Sequence, residues 1–193
     1  MIKNNKLKTL ISSLLILLPT LFGIIIWDKL PNEMVSHLGL DGTADAVGKK
    51  AVVVFLLPLV LVAVHLFCLW ISGKDPRNEK QTKKAQGIVF WIMPAASIFV
   101  SSLMYAVALE VQFNPMLILV LFLAFMFIFI GNYMPACKQN STLGIKIKWT
   151  LENAENWRAT HRFSGKVWFI CGFLLIPCAF FPVKYAPYLL MGI

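Results

Sequence analysis

The sequence predicts an all-α membrane protein, a polytopic transmembrane helical bundle, and three observations lead to this fold class. Of the 193 residues, 59% are hydrophobic and 14% are charged, whereas a soluble domain is usually about 45–50% apolar and about 25% charged. Apolar runs of the length that a helix needs to cross a bilayer, about 20 residues, recur along the chain. Most of the Lys and Arg residues are concentrated in alternate gaps between these runs.

The apolar runs predict the spans in chain order. Four are long enough to cross: Leu7–Trp27, Ala51–Ile71, Gly87–Leu109 and Met116–Met134. A fifth, Val167–Phe181, has only 15 residues and reaches the required length if a helix continues into it from the preceding segment. The last nine residues, Tyr185–Ile193, are apolar but too short to cross alone. We predict five spans plus an incomplete sixth; the alternative is that the chain ends in the outer interface.

The distribution of basic residues predicts the orientation. Fourteen of the 18 Lys and Arg residues lie in the gaps Met1–Lys8, Ser72–Gln86 and Ala136–Lys166. Cytoplasmic loops carry an excess of Lys and Arg, so the N-terminus is predicted to be cytoplasmic and the loop Asp28–Lys50 to face the exterior. The net charge of +9 is explained by this orientation, and no direct binding of nucleic acid is predicted.

The segment Ala136–Lys166 has the densest pattern. Asn140–Gly144 resembles a turn, and Thr150 is predicted to cap a helix that begins at Leu151. Aromatic and small residues then share one helical face at steps of three and four, and a basic stripe lies about 100° round from it. The first face consists of Ala154, Trp157, His161, Gly165 and Trp168, and the basic stripe of Arg158, Arg162 and Lys166. This predicts an interfacial helix that continues into the fifth span.

Two sets of residues resemble a known family. Gly131-Asn132-Tyr133-Met134-Pro135, Asn140, Gly144-Ile145-Lys146, Trp149-Thr150-Leu151, Trp157, Thr160-His161 and Gly165-Lys166 resemble the motif of the SdpI family, in type and in spacing. Leu30-Pro31, His37, Gly42 and Lys49 or Lys50 resemble the uncharacterised domain that often precedes it. The resemblance predicts a division into an N-terminal two-span region, 1–72, and an SdpI-like region, 73–193.

The resemblance implies a function and a location. It implies a multi-pass protein of the bacterial cytoplasmic membrane that gives immunity to an extracellular antimicrobial peptide toxin and holds a cytoplasmic repressor protein. The residues that would form the cytoplasmic site are Asn132, Asn140, Gly144, Lys146, Trp149, Thr150, Trp157 and His161. One departure concerns the family's Arg-Thr-Pro, which is Lys146-Ile147-Lys148 here. Because Lys lacks the planar fork of Arg, the partner of this loop is expected to differ from the family's or to be absent.

A simpler interpretation of the same segment remains open. Its tryptophans would lie at headgroup depth and its cations on anionic lipid, each contributing roughly 1 kcal/mol of attraction. Both interpretations can hold, since anchoring in the lipid bilayer would position the site.

Outside the membrane, Pro31, His37 and Asp41 are the candidate residues. His37 lies four residues after Glu33 and four before Asp41, a spacing that in a helix would allow a metal or a cationic ligand to bind. A solvent-exposed loop histidine is the preferred alternative, and no metal site is predicted.

Within the spans, His65 is the one ionisable side chain that lies deep. Intramembrane polar groups are often functional, but a neutral histidine that hydrogen-bonds across helices is the preferred interpretation.

Missing motifs argue against catalysis. The sequence has no metalloprotease, phosphate-loop or nucleophile-elbow motif, and no C-x-x-C pair to suggest zinc or a disulfide framework. We therefore predict that the protein is not an enzyme and needs no cofactor. A small transporter or permease-like protein is the alternative function, and a purely structural membrane partner is a third.

Overall fold

The chain forms a bundle of long helices with one small hairpin at one end. A computed structural model describes residues 5–38 and 44–180. The long helices are α1 (Lys6–Ile25), α2 (Leu57–Lys74), α3 (Lys83–Ala108), α4 (Pro115–Tyr133) and α6 (Ala154–Cys178), and α5 (Lys148–Glu152) is a single turn before α6. A two-stranded antiparallel hairpin, β1 (Glu33–Leu38) and β2 (Ala44–Lys49), precedes a π-helical stretch, Val52–Leu56, that leads into α2.

The predicted all-α transmembrane architecture is confirmed. Within the described ranges, four helical segments are long and apolar enough to cross a membrane: Lys6–Ile25, Val52–Lys74, Lys83–Ala108 and Pro115–Ala136. The predicted fifth span begins inside α6, whose first half carries the three cations of the basic stripe. Its crossing stays a prediction, and the predicted sixth span, Tyr185–Ile193, lies outside the described residues.

Helix α1 packs against α3 through buried side chains that bond to its backbone. Ser97 Oγ donates to the carbonyl of Ile16 at 2.8 Å, and the Tyr105 hydroxyl donates to the carbonyl of Pro19 at 2.9 Å. Gly23 makes room for the phenol, because a Cβ there would lie 2.6 Å from its oxygen. Small residues and interhelical hydrogen bonds of this kind hold membrane helices together, since apolar side chains gain little by leaving lipid.

The proline in α2 has its missing hydrogen bond replaced. Pro58 lacks the N–H that would bond the carbonyl of Val54. Thr20 Oγ1 of α1 donates to that carbonyl at 2.9 Å. A neighbouring helix therefore satisfies the freed backbone group, as expected for proline in a membrane helix.

Helices α4 and α6 pack closely against each other. A Cβ on Gly131 would lie 2.6 Å from the backbone nitrogen of Phe169, and one on Gly172 would lie 2.7 Å from the carbonyl of Ala124. The glycines therefore let the two backbones touch. Toward their far ends an apolar cluster fills the interface, with Met116, Val120, Ala124 and Leu175 buried.

The segment between α1 and α2 is a hairpin rather than a helix or an irregular loop. Glu33 is paired with Lys49 and His37 with Ala46 in an irregular antiparallel register. Glu33 and His37 lie in a strand, so the helical arrangement considered for them is wrong. Asp41 lies outside the described residues. Met34 is buried against Leu30, Val53, Val54, Met104 and Tyr105, which fixes the hairpin to the ends of α1 and α3.

The division near residue 72 stays a prediction. The hydrogen bonds from α3 to α1 cross that boundary, so the two regions pack against each other through their helices.

Candidate functional site: an ordered platform at the basic end

The basic end of the bundle is the end where α1 and α3 begin and α2 and α4 end. Two segments meet there, the connector (residues 75–82, between α2 and α3) and the motif loop (residues 134–153, between α4 and α6). Together with the first turns of α6 they form a folded unit, which we call the platform.

Asn140 organises the turn of the motif loop. Its side chain is fully buried. Oδ1 accepts the N–H groups of Thr142 and Leu143 at 2.8 and 2.6 Å, and Nδ2 donates to the carbonyls of Lys138 and Leu143, both at 2.8 Å. A side-chain amide that closes a turn in this way fixes the backbone without any regular structure.

Thr150 fixes the next part of the loop, and its predicted role as the cap of the long helix is wrong. It is fully buried inside α5, and its Oγ1 lies 2.8 Å from the carbonyl of Ile145 and 3.1 Å from the backbone nitrogen of Ile147. Asn153 caps α6 instead, accepting the N–H groups of Glu155 and Asn156 at 2.8 and 3.0 Å. The single turn of α5 ends before α6 begins, so the cap of α6 lies three residues later than predicted.

Trp157 anchors the loop to α6. Only 1% of the residue is exposed. Its indole N–H donates to the carbonyl of Cys137 at 2.9 Å, and its ring stacks on that of His161 with centroids 4.0 Å apart. The predicted face of α6 is buried at Trp157, His161 and Gly165, whereas Ala154 at its start is exposed.

His161 is held in one neutral form by its two partners. Nε2 accepts the N–H of Ile145 at 3.0 Å, and Nδ1 lies 2.9 Å from the carbonyl of Trp157, to which it must donate. Burial lowers the pKa of His161 below its usual value, while the bond to the Trp157 carbonyl acts in the opposite sense. Protonation would place a second N–H against that of Ile145, so the imidazole acts here as a structural acceptor.

Gly144 allows this contact. Its φ is +111°, and a Cβ at this position would collide with Nε2 of His161. Glycine is the residue that adopts such a backbone conformation without strain.

The connector supplies an acid that the sequence prediction did not single out. The carboxylate of Asp75 is buried and accepts the N–H and the hydroxyl of Ser141 at 2.7 and 2.8 Å, and the N–H of Arg77 at 3.0 Å. Burial alone would raise the pKa of Asp75, but the hydrogen bonds from Ser141 and Arg77 and the charge of Arg77 bring it below the usual value. The carboxylate therefore remains ionised and ties the two loops together.

Three further connector residues were also missed. Gln81 Nε2 donates to the carbonyl of Lys138 at 2.5 Å while its Oε1 accepts the N–H of the same residue at 2.9 Å. Asn78 donates to Thr142 Oγ1 at 2.5 Å, and Thr82 donates to the carbonyl of Ala136 at 3.1 Å. Uncharged polar residues inside a strongly basic gap were the one signal for these contacts.

The remaining predicted residues lie on the surface of the platform. Trp149 is 60% exposed and Lys146 is exposed, with its Nζ 3.3 Å from the carbonyl of Thr142. Asn132 is exposed at the last turn of α4, apart from the loop. Within the described ranges no Lys or Arg lies within ion-pairing distance of a carboxylate, so the cations of the basic end are available to an anionic partner.

The opposite end of the bundle, the hairpin end, carries the outer candidates. His37 Nδ1 lies 2.6 Å from Asp45 Oδ1, with both side chains at least half exposed. Pro31 is exposed before β1. Lys50 donates to the carbonyls of Trp27 and Leu30 at 3.2 and 3.3 Å and lies over the Trp27 ring. Among the described residues no cluster of three possible metal ligands occurs.

His65 lies in the interior, as the preferred interpretation predicts. It is fully buried, and its Nε2 lies 2.8 Å from Ser12 Oγ of α1. Because Ser12 also lies 3.0 Å from the carbonyl of Thr9, its hydroxyl can donate to that carbonyl and accept from the imidazole. The other ring nitrogen has no partner within the described residues.

Comparisons with known proteins agree with the motifs. Residues 136–193 match the model of the SdpI/YfhL protein family, and residues 14–62 match that of a domain of unknown function, DUF1648. The chain is 27% identical over 182 residues to immunity protein SdpI of Bacillus subtilis (strain 168), an alignment that covers 92% of this chain and 84% of that protein. The resemblance to the SdpI family is confirmed. No solved structure matches the chain.

The SdpI-family match and the apolar helices together make this a multi-pass bacterial membrane protein. The family region covers most of the motif loop and all of α6, so the SdpI-type motif coincides with the platform. Of its eight predicted residues, four are buried in one network, namely Asn140, Thr150, Trp157 and His161. Gly144 is exposed but packs against His161, and Asn132, Lys146 and Trp149 are exposed.

Proposed function

We propose that this protein is an integral membrane immunity protein that gives resistance to an extracellular antimicrobial peptide toxin. The observation that carries the proposal is the 27% identity to immunity protein SdpI across 92% of the chain. A match of that extent includes the outer hairpin, the bundle and the platform together. It therefore supports a shared function more strongly than a shared motif alone.

The toxin would be met at the hairpin end. The described part of the first long connection between predicted spans forms two paired strands there, fixed to the bundle by Met34 and Lys50. Its exposed surface carries the pair His37 and Asp45 and the exposed Val47. An ordered, partly apolar surface outside the membrane is what an amphipathic peptide would need.

A cytoplasmic repressor would be held at the basic end. The platform is ordered by buried polar groups, so the backbone that carries the exposed Trp149 and Lys146 is held in place. Tryptophan is among the residues enriched in binding hot spots. The proposal assigns the buried residues to ordering the surface and Trp149 to contact with the partner.

The test is growth of toxin-sensitive bacteria that express the full chain. The toxin is the purified peptide against which immunity protein SdpI protects. Expression of the chain should raise the inhibitory concentration of this peptide by several dilution steps. The double variant His37→Ala/Asp45→Ala should lower that protection, whereas Lys29→Ala, which also removes an exposed charge at the hairpin end, should not. Unchanged sensitivity of cells that contain the wild-type chain in their membrane would refute the proposal.

Repressor capture is tested separately with a fluorescent repressor fusion. Trp149→Ala should release the fusion from the membrane. The control is Trp91→Ala, which changes a partly exposed tryptophan of α3 and should not release it. Equal membrane recruitment by the wild type and Trp149→Ala would exclude this surface as the contact.

A transporter is the alternative function, and the packing of the bundle counts against it. A transporter of peptides needs a water-accessible polar path between its helices. Between α1 and α3 the buried polar groups Ser97 and Tyr105 are used in direct helix-to-helix hydrogen bonds. The groove beside them is lined mainly by apolar residues such as Leu21, Phe22 and Ile98.

A further inference from the structure

A surface pocket of about 360 Å³ lies between the last turn of α4 and the middle of α6. Its lining includes Gly131, Asn132, Pro135, Lys166, Phe169 and Ile170. It lies beside the close contact of the two helices, where the glycines bring the backbones together and leave no side chain to fill the adjoining space.

The pocket is polar at one edge and apolar below it. Lys166 is the last cation before the apolar run of α6, and Phe169 and Ile170 follow three and four residues later. At a rise of 1.5 Å per residue these side chains lie roughly 5–6 Å further along the helix. That step is comparable to the depth over which headgroups give way to acyl chains in an interfacial layer.

The polar groups at the edge have no partners among the described residues. Neither the Lys166 ammonium nor the Asn132 amide forms a hydrogen bond or ion pair in the described part of the chain. No acid contributes to the lining. One turn further toward the basic end, Arg162 is also exposed and forms no ion pair with any residue that the structure describes. A cation, a free amide and an apolar floor together suit a ligand with an anionic head and a hydrocarbon tail.

We propose that this pocket binds one anionic phospholipid of the leaflet at the basic end. The phosphate accepts hydrogen bonds from Lys166 and Asn132, and the start of an acyl chain lies along Phe169 and Ile170. The lipid would link α4 to α6 at the edge of the platform. The inference does not depend on the proposed immunity function, because it uses only the pocket and its charge.

Lipid retention by the purified full chain in detergent tests this site. Native mass spectrometry would follow titration with phosphatidylglycerol and, in parallel, with phosphatidylcholine of the same chain length. We expect one phosphatidylglycerol to be retained more tightly than any phosphatidylcholine. Lys166→Gln should weaken that retention about fivefold, as for removal of one cation near an anionic surface, and Asn132→Ala should weaken it in the same direction.

The matched control is Lys84→Gln, which removes an exposed cation of the basic end outside the pocket and should leave retention unchanged. Equal retention of the two lipids, or equal losses for the Lys166 and Lys84 variants, would overturn the proposal. Displacement of the lipid by soluble glycerol phosphate would assign the site to a free phosphate instead. Loss of repressor capture in Lys166→Gln with lipid retention intact would assign it to the protein partner.

Discussion

The side-chain amide of Gln81 and the backbone of Lys138 form a reciprocal pair, with Nε2 donating to the carbonyl at 2.5 Å and Oε1 accepting the N–H at 2.9 Å. The two residues are 57 positions apart. The pair joins the connector before α3 to the motif loop after α4, so the platform is tied to both of these helices. Any movement of α3 relative to α4 would have to break this pair or carry the motif loop with it.

Gln81→Ala should destabilise the platform. The N–H of Lys138 would lose its partner while its carbonyl would keep the Asn140 amide, and a buried unsatisfied group costs roughly 1–3 kcal/mol. Thermal unfolding of the purified protein in detergent should therefore occur at a lower temperature. Gln86→Ala serves as the control, because its amide makes only a 3.4 Å contact with the carbonyl of Asn78. Equal melting temperatures for the two variants would show that the Gln81 pair contributes nothing.

Gly144→Ala should disrupt the contact between the motif loop and α6. The φ of +111° is strained for alanine, at a cost of order 1–3 kcal/mol, and the new Cβ would push His161 away from Ile145. Hydrogen exchange should show faster exchange of the Ile145 amide. Gly87→Ala in α3 is the control, since a Cβ there meets nothing closer than 4.0 Å and alanine favours a helix. Unchanged exchange at Ile145 in Gly144→Ala would contradict the geometry described for the turn.

The platform should lose stability as the pH falls below about 6.5, the unperturbed pKa of histidine. Burial lowers the pKa of His161 in the folded protein, so in this range the unfolded chain binds a proton that the folded one does not. The free energy of unfolding therefore rises with pH up to the unfolded pKa and is retained above it. Melting temperatures measured from pH 7.5 to pH 5 should show this slope.

The variant His161→Gln separates this effect from other titrations. It removes the ionisable group while keeping a side chain that can accept the Ile145 N–H. Its stability should be lower at pH 7.5 but should vary less with pH than that of the wild type. A slope that is the same in both proteins would assign the pH dependence to other groups.

The helical faces were predictable from the sequence because helix periodicity is local. Trp157, His161 and Gly165 lie at steps of four, and the structure buries all three. The spans followed from length and hydropathy for the same reason. The cap of α6 was misplaced because Thr150 and Asn153 are both good capping residues, and the single turn of α5 between them leaves no periodic pattern.

The connector contacts could not be predicted in this way. Whether Gln81 reaches Lys138 depends on how α3 and α4 pack, which no local pattern encodes. The hairpin did have a signal, because Asp41-Gly42 is a typical hairpin turn sequence between residues that favour strands. The four-residue spacing of Glu33 and His37 also fits a helix, so local spacing alone did not distinguish a helix from strands here. The buried carboxylate of Asp75 was hidden among the cations of the same gap.

Opposite exposure of the two ends is the claim on which the proposed function depends, since the toxin and the repressor would meet the protein on different sides. Single cysteines placed at Ala46 in the hairpin and at Lys148 in the motif loop can be labelled in intact cells with a membrane-impermeant maleimide, with the wild-type chain as the blank for its own four cysteines. The account predicts labelling at position 46 in intact cells, and at position 148 only after the membrane is permeabilised. Labelling of position 148 in intact cells, with position 46 protected, would contradict it.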